Sequence, residues 1–376
     1  MTVPDPARES RLKVAISMLT LVPGTMGGGE TYARGLLRGL PSRPAIEATA
    51  YVGRQAEGFA TTVPEVVCES IDGQGTTAGK LTTLARGFAF GSKLRRLMEG
   101  ADVFHVPFAV ALPKPAKEMA VVQTLCDVQH RDLPHLFSSA EKLYRRLFYE
   151  RTARTADAVV TISDFAKQTI IDHLGVPADR IFTAHLAVEA DDYTPNLGDR
   201  DDVILYPARG WAHKNHARLF DAMRLLEKTH PHLTLVLTGG GLDSLENVPS
   251  NVKIRGQVPL AELRELYRRA ACTVFPSLYE GFGLPPLEAM ASGCPVASST
   301  AGALPEVVGD AAVLFDPYSP EAIADAIVAA INRSSELQGL GLERIKKFTW
   351  EACAEAHEEA YAYAAAARDR RLASGR

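Results

Sequence analysis

Ser277-Leu278-Tyr279-Glu280-Gly281-Phe282-Gly283-Leu284-Pro285-Pro286-Leu287-Glu288 is the stretch on which the reading of this chain turns. It follows the apolar run Cys272 to Phe275 and leads into the helix-like Leu284 to Ala291, the pattern of a strand, a glycine-rich turn and a helix opening. Two carboxylates stand eight residues apart, Glu280 in the turn and Glu288 inside the helix. In open α/β sheets ligands bind beyond the carboxyl ends of the strands, where helix N-termini offer unpaired N–H groups to anions. Glu280 is then placed to reach a sugar and Glu288 a ribose. An ordinary strand-to-helix connection with two solvated glutamates has the same spacing, so the rest of the chain must choose.

With 376 residues the chain exceeds the size at which one core keeps growing, and two domains are expected. A composition 46% hydrophobic and 23% charged is that of a soluble globular enzyme. The formal charge of -4 argues against a nucleic-acid binder, so phosphate recognition must be local. The five cysteines, at 68, 126, 272, 294 and 353, include no CxxC pair and suggest neither a disulfide framework nor a zinc site; a reducing cytosol fits. Met1 to Lys13 lacks the apolar run of a signal peptide, and no segment approaches the roughly 20 residues of a membrane span. The expectation is a cytoplasmic protein.

Short apolar runs alternate with helical patterns from end to end, the signature of βα units and mostly parallel sheets. Strands are expected at Lys13 to Leu19, Thr49 to Val52, Val103 to Val106, Ala120 to Leu125, Ala158 to Ile162 and Ile181 to Ala184. After the polar, turn-rich Tyr193 to Asp202, read as a linker, the alternation restarts at Val203 to Tyr206, Thr234 to Leu237, Val252 to Ile254, Thr273 to Phe275, Pro295 to Ala297 and Ala312 to Phe315. Two Rossmann-like halves with a cleft between them follow. Trp350 to Arg368 reads as a long helix packing through Trp350, Tyr361 and Tyr363.

Three further places carry chemistry. Gly24-Thr25-Met26-Gly27-Gly28-Gly29-Glu30 follows the first strand and opens a helix, where backbone without side chains can approach a phosphate; a tight turn is the alternative. Arg209 and Lys214 lie five residues apart across the loop after Val203 to Tyr206, where two fixed cations can neutralise a diphosphate as its bond to a sugar breaks. A solvated basic loop has the same composition. Asp127 and His130 follow the strand ending near Leu125, and His105 closes a neighbouring one; any of these is also accounted for as a packed or capping residue. The sequence has no serine-histidine-aspartate elbow, no HExxH and no cluster of metal-ligand spacing, which favours phosphate chemistry without a metal.

Taken together, Glu280 to Glu288, the Arg209 and Lys214 pair and the Gly27-Gly28 loop before Glu30 resemble the E-x7-E donor signature, the diphosphate-binding pair and the N-terminal glycine loop of the retaining GT-B glycosyltransferases of family four. The resemblance covers residues 12 to 365. It implies an α/β fold of GT-B type, two Rossmann-like domains facing a central cleft: an acceptor-binding domain over residues 1–192, a nucleotide-sugar-binding domain over 203–349, and a helix over 350–376 crossing back to the first. It implies that Arg209 and Lys214 hold the diphosphate, faced by the Gly28 amide. Glu288 would bind the ribose, and Glu280 with the amides of Gly281, Phe282, Gly283 and Leu284 would grip the sugar. Val258 would meet the base, beside a small-residue loop at Gly239 to Gly241. One departure stands out: Cys126 occupies the place of the family's histidine, and a thiol lacks the reach of an imidazole. Asp127 with His130 is expected to line the site instead, with His105 as the other substitute.

The implied activity is a metal-independent, front-face retaining transfer of a hexose, mannose or rhamnose, from a nucleotide-diphosphate sugar to a glycan or lipid-linked acceptor. No cofactor is required beyond that donor. Closure of the domains about residues 193–202 is expected to expel water. The alternative is a non-catalytic nucleotide-sugar binder, motivated by Cys126. Between Lys80 and Arg154 basic residues outnumber acidic ones 13 to 7, with Phe88, Phe90 and Leu97 nearby, so peripheral contact with an anionic inner membrane face stands beside the simpler reading of a solvated helix surface.

Overall fold

The structure, a computed structural model, describes residues 11–72, 77–108 and 110–374, so expectations for the first ten residues lie outside it. The chain forms two compact units: one runs up to Leu186 and resumes at Trp350, the other is Ala187–Thr349.

In the first unit, β1 (Leu12–Met18), β2 (Ile46–Gly53), β3 (Glu65–Cys68), β4 (Val103–Val106), β5 (Ala120–Thr124), β6 (Ala158–Thr161) and β7 (Ile181–Thr183) make a parallel sheet in the order β3-β2-β1-β4-β5-β6-β7. Helices cover it, so β4 and β6 are buried throughout and read as mainly apolar runs with one polar residue each, His105 and Thr161. β3 is the strand the sequence did not announce. It has four residues, follows Pro64 and pairs only with β2 at the sheet edge, so three of its side chains stay partly exposed and the apolar signal is weak.

The second unit repeats the plan with β8 (Asp201–Pro207), β9 (Thr234–Thr238), β10 (Val252–Gly256), β11 (Ala270–Phe275), β12 (Val296–Ser299) and β13 (Val313–Phe315) in the order β10-β9-β8-β11-β12-β13. Strand order reverses between β1 and β4 in one sheet and between β8 and β11 in the other. Those are the switch points beyond which open α/β sheets take ligands. The glycine loop leaves β1, Arg209 and Lys214 follow β8, and Glu280 follows β11.

The segment read as a linker is packed on the second unit. Asn196 N–H donates to Ser292 O at 3.1 Å and its side-chain amide to Arg268 O at 3.1 Å, while the Arg200 guanidinium donates to the carbonyls of Tyr267, Arg268 and Ala270 at 3.0–3.2 Å. Polar, turn-rich sequence marks irregular backbone, and the groups of irregular backbone still need partners.

Helix α1 (Gly28–Gly39) follows the glycine loop, and the C-terminal helix, Trp350–Ala373, lies against it and against β5, β6 and β7 within the first unit. A Cβ at Gly35 would fall 2.2 Å from the Trp350 ring, so only glycine lets the two helices meet. Trp350 and Tyr361 are buried as expected; Tyr363 stays partly exposed, edge-on to Phe182 with its hydroxyl on Asp179 at 3.1 Å.

A buried polar chain joins this helix to the sheet. His357 Nδ1 donates to Cys353 O at 2.7 Å, so its Nε2 must accept, from Tyr32 O–H at 2.7 Å. The Tyr32 oxygen then accepts from Thr124 at 2.6 Å, Thr124 from His105 Nε2–H at 2.9 Å, and His105 Nδ1 from Tyr361 at 2.9 Å. Burial keeps both imidazoles neutral, and for neutral rings this one carbonyl sets the direction of all five hydrogen bonds. Burial pushes His357 down to about 4 and His105 well below the usual histidine range. Among the described residues no helix is long and apolar enough to cross a membrane.

Candidate active site

In the second unit the loop after β8 is held by backbone. Ala208 N–H donates to Thr238 O at 2.8 Å and Gly210 N–H to Gly240 O at 3.1 Å. Gly239 has φ +138, and a Cβ there would lie 2.4 Å from Ala208 O. The close approach of these two loops therefore requires glycine at position 239. Gly239 N–H also donates to Gly256 O at 2.8 Å, which sets this loop beside the partly exposed Val258. Arg209 is exposed, its guanidinium 5.2 Å over the Trp211 ring, and no carboxylate among the described residues pairs with it.

Lys214 ends a short 3-10 turn, Ala212–Lys214, and its Nζ lies 2.6 Å from Glu280 Oε1. Both side chains are about one-fifth exposed or less, at 16% and 21%. The two loops are stitched together beneath them: Leu278 N–H donates to His213 O at 2.8 Å, buried Tyr206 O–H to Lys214 O at 2.8 Å, and the buried Asn215 amide to Pro276 O at 2.9 Å and Pro317 O at 2.8 Å. Asn215 takes φ 62, a left-handed conformation asparagine tolerates. A fixed ammonium and a carboxylate, backed by ordered backbone, sit at the switch point.

Helices α2 (His216–Thr229) and α3 (Leu260–Arg269) precede this turn, and after Glu280 the chain passes through Gly281, Phe282 and Gly283 into α4 (Leu284–Ala291). Phe282 and Leu284 are buried, Phe282 edge-on to Phe348 at 5.7 Å, so the loop's side chains face the core. Glu288 projects from α4 to Tyr267 of α3, whose hydroxyl donates to Glu288 Oε2 at 2.9 Å. Burial raises the Glu288 carboxyl above its usual range, against the opposing Tyr267 hydrogen bond, the nearby Tyr193 hydroxyl and the charge of Arg264. Tyr267, Tyr193, Arg264 and Asn215 were not singled out from sequence. In α3 the spacing of Leu260, Leu263 and Tyr267 reads as ordinary core packing, and nothing in a sequence says that the tyrosine's hydroxyl, and not only its ring, has a partner.

In the first unit Gly27 (φ 53) precedes α1 and Gly28 is exposed at its start. Glu30 folds back to accept from Gly24 N–H at 2.6 Å and pairs with Arg34 at 3.0 Å. After β5, the Asp127 carboxylate accepts from Gln129 N–H at 3.0 Å. Burial, with Asp127 adding to it, pushes the Cys126 thiol up to about 12, so it is a neutral thiol at physiological pH. The two histidines expected to substitute for an imidazole at Cys126 are engaged elsewhere. His105 belongs to the buried chain described above, and His130 donates from Nε2 to buried Glu150 at 2.9 Å.

Glu150 closes a π-helical turn, Arg146–Glu150, and is also gripped by Arg131, at 2.6 Å from Nε, and by Arg154 at 3.3 Å. Its burial would raise the carboxyl, but the Arg131 and His130 hydrogen bonds prevail and hold it at about 2. His130, Arg131 and Glu150 line a cleft of about 500 Å³ together with Lys142 and Arg146. The sequence-predicted residues thus fall into separate groups: Lys214 with Glu280, Glu288 with two tyrosines, and His130 with Glu150.

Comparison with known proteins accords with this layout. The family profile described as Glycosyltransferase Family 4 matches residues 26–192, and that described as Glycosyl transferases group 1 matches residues 189–342. O-antigen chain mannosyltransferase B of Escherichia coli is 32% identical over 271 residues, 66% of this chain and 71% of that protein. Sucrose-phosphate synthase of Thermosynechococcus elongatus superposes with a TM-score of 0.72 at 18% identity, covering 97% of this chain and 100% of that one. Anabaena HepE, solved in complex with UDP-glucose, superposes with a TM-score of 0.65 at 18% identity over 93% of this chain and 99% of its own. Two adjoining profile matches, a relative alike over most of its length and the GT-B fold in common show that this chain belongs to the group 1 glycosyltransferases of family 4 and is a glycosyl-transferring enzyme.

Proposed function

We propose that this enzyme is a retaining hexosyltransferase that moves mannose from a nucleotide-diphosphate sugar to a glycan or lipid-linked acceptor. The observation that carries the reading is the Lys214–Glu280 pair at the β8/β11 switch point, with Arg209 on the same loop as Lys214 and paired with no carboxylate among the described residues. Two cations on backbone-anchored loops can stabilise charge growing on a leaving diphosphate, and the carboxylate can hold sugar hydroxyls. The E. coli relative's name supports mannose over rhamnose.

In a front-face mechanism the leaving diphosphate takes the acceptor's proton, and the protein's residues position and stabilise. That scheme needs neither a protein nucleophile nor a metal, and it is consistent with a Cys126 held as a neutral thiol. Family membership sets aside the non-catalytic reading. Incubation with GDP-mannose, UDP-glucose and dTDP-rhamnose in turn, with and without EDTA, tests the proposal. The expected result is turnover with GDP-mannose, unaffected by EDTA, giving an α-linked product; an inverted product or EDTA-sensitive turnover refutes the mechanism.

A peripheral membrane contact is part of the same reading. Phe88, Phe90 and Leu97 are exposed next to Lys93, Arg95 and Arg96. Flotation with anionic but not neutral liposomes is expected, and failure to float at any salt concentration removes this element.

A further inference from the structure

Glu288 has partners that packing alone does not explain. Tyr267 is fully buried, and phenylalanine would fill the same space; its hydroxyl nevertheless meets Glu288 Oε2 at 2.9 Å. Tyr193, from the segment ahead of β8, lies close enough to the same carboxyl and to Arg264 for their charges to act on its hydroxyl. The Arg264 guanidinium lies 5.1 Å over the Tyr193 ring and 2.6 Å from Asp192. Two tyrosines from different elements thus converge on one carboxyl of α4. A carboxylate offers about four acceptor positions, so these contacts leave it capacity to accept from a ligand.

We infer that Tyr267 and Tyr193 are positioning residues that fix the Glu288 carboxylate so that its remaining acceptor capacity meets ribose hydroxyls of the donor nucleotide. The inference rests on the reading of Glu288 as the ribose-binding residue. An acceptor rejects a ligand lacking a hydroxyl only while it is held where that hydroxyl belongs; an acceptor free to swing loses the distinction. Tyr267 and Tyr193 therefore contribute to discrimination between ribose and deoxyribose and leave base and diphosphate recognition unchanged. The requirement also accounts for Asp192 to Asn196 being packed on the second unit, since a mobile segment could not hold Tyr193 in place.

Calorimetric titration of GDP and UDP and of their 2′-deoxy and 3′-deoxy forms tests this on wild type, Tyr267→Phe, Tyr193→Phe and Glu288→Ala. Wild type should bind one ribonucleotide about 10-fold or more tighter than a deoxy form. Each phenylalanine variant should lose about 3- to 10-fold for the ribonucleotide and nothing for the deoxy form, closing the ratio. Tyr193→Phe, which disturbs a less enclosed site, carries the test if Tyr267→Phe fails to fold. An equal loss for both nucleotides reveals a merely structural role and overturns the inference. So does a ratio that survives both substitutions but disappears in Glu288→Ala, an outcome that spares the ribose reading. A wild type that does not discriminate, or binds neither nucleotide, overturns both.

Discussion

The Lys214 ammonium lies 2.6 Å from the Glu280 carboxylate, and the two residues leave adjacent strands, β8 and β11, of one parallel sheet. The pair is partly enclosed and its backbone is tied at three points, so its geometry is set before any ligand arrives. A cation so placed stabilises charge that develops on a leaving group with little reorganisation.

Lys214→Ala should therefore lower turnover by about 10²- to 10³-fold at saturating donor. Glu280→Gln keeps the shape and should raise the donor KM while leaving the fold intact. Single-turnover kinetics read both effects, and unchanged turnover in Lys214→Ala removes that residue from the mechanism.

Gly239→Ala sets a methyl group 2.4 Å from Ala208 O at φ +138, where L-residues are strained. A destabilisation of about 2–3 kcal/mol is expected, with a lower melting temperature. Gly240→Ala is the control, because a Cβ there meets nothing within 4 Å. Equal melting temperatures for the two variants would contradict the close-approach argument.

The buried histidines predict the direction of acid sensitivity. His357 and His216 are pushed down to about 4 by burial, and His105 is lowered too, whereas an unfolded chain protonates histidine near 6.5. Between those values the unfolded state binds more protons, so stability is complete above about pH 6.5 and falls as pH drops toward 4. Urea midpoints at pH 7.5, 6.0 and 5.0 should decline in that order. His357→Gln should flatten the slope; a midpoint constant across the series would exclude the buried network as its source.

His130 and Glu150 should behave as a structural pair. Glu150→Gln leaves Arg131 and Arg154 without their shared carboxylate and is expected to cost about 3 kcal/mol. His130→Gln should lower stability while turnover per folded molecule stays within about 3-fold of wild type. A loss of turnover above 100-fold with an unchanged melting temperature would restore His130 to the chemistry.

The strands were legible because parallel sheets covered by helices demand mainly apolar runs, as in Val103 to Val106 and Ala270 to Phe275, where only His105 and Thr273 are polar. β3 escaped because an edge strand needs no such run. Arg209, Lys214, Glu280 and Glu288 could be singled out since glycine turns after strands advertise ligand loops. His105 and His130 could not be resolved from sequence, because a histidine committed to a buried hydrogen bond has the same one-letter signature as one facing a substrate.

The sequence by itself determined the two α/β units, the loops that carry the charged residues and the family, since these follow from local periodicity and turn chemistry. Only the tertiary structure decided which of those residues meet. Strand order β8-β11 brings Lys214 to Glu280 across 66 positions of chain, and α3 packing beside α4 gives Glu288 its tyrosine. Such pairings depend on how strands and helices are arranged in space, and sequence periodicity, which repeats every two or 3.6 residues, carries no record of it.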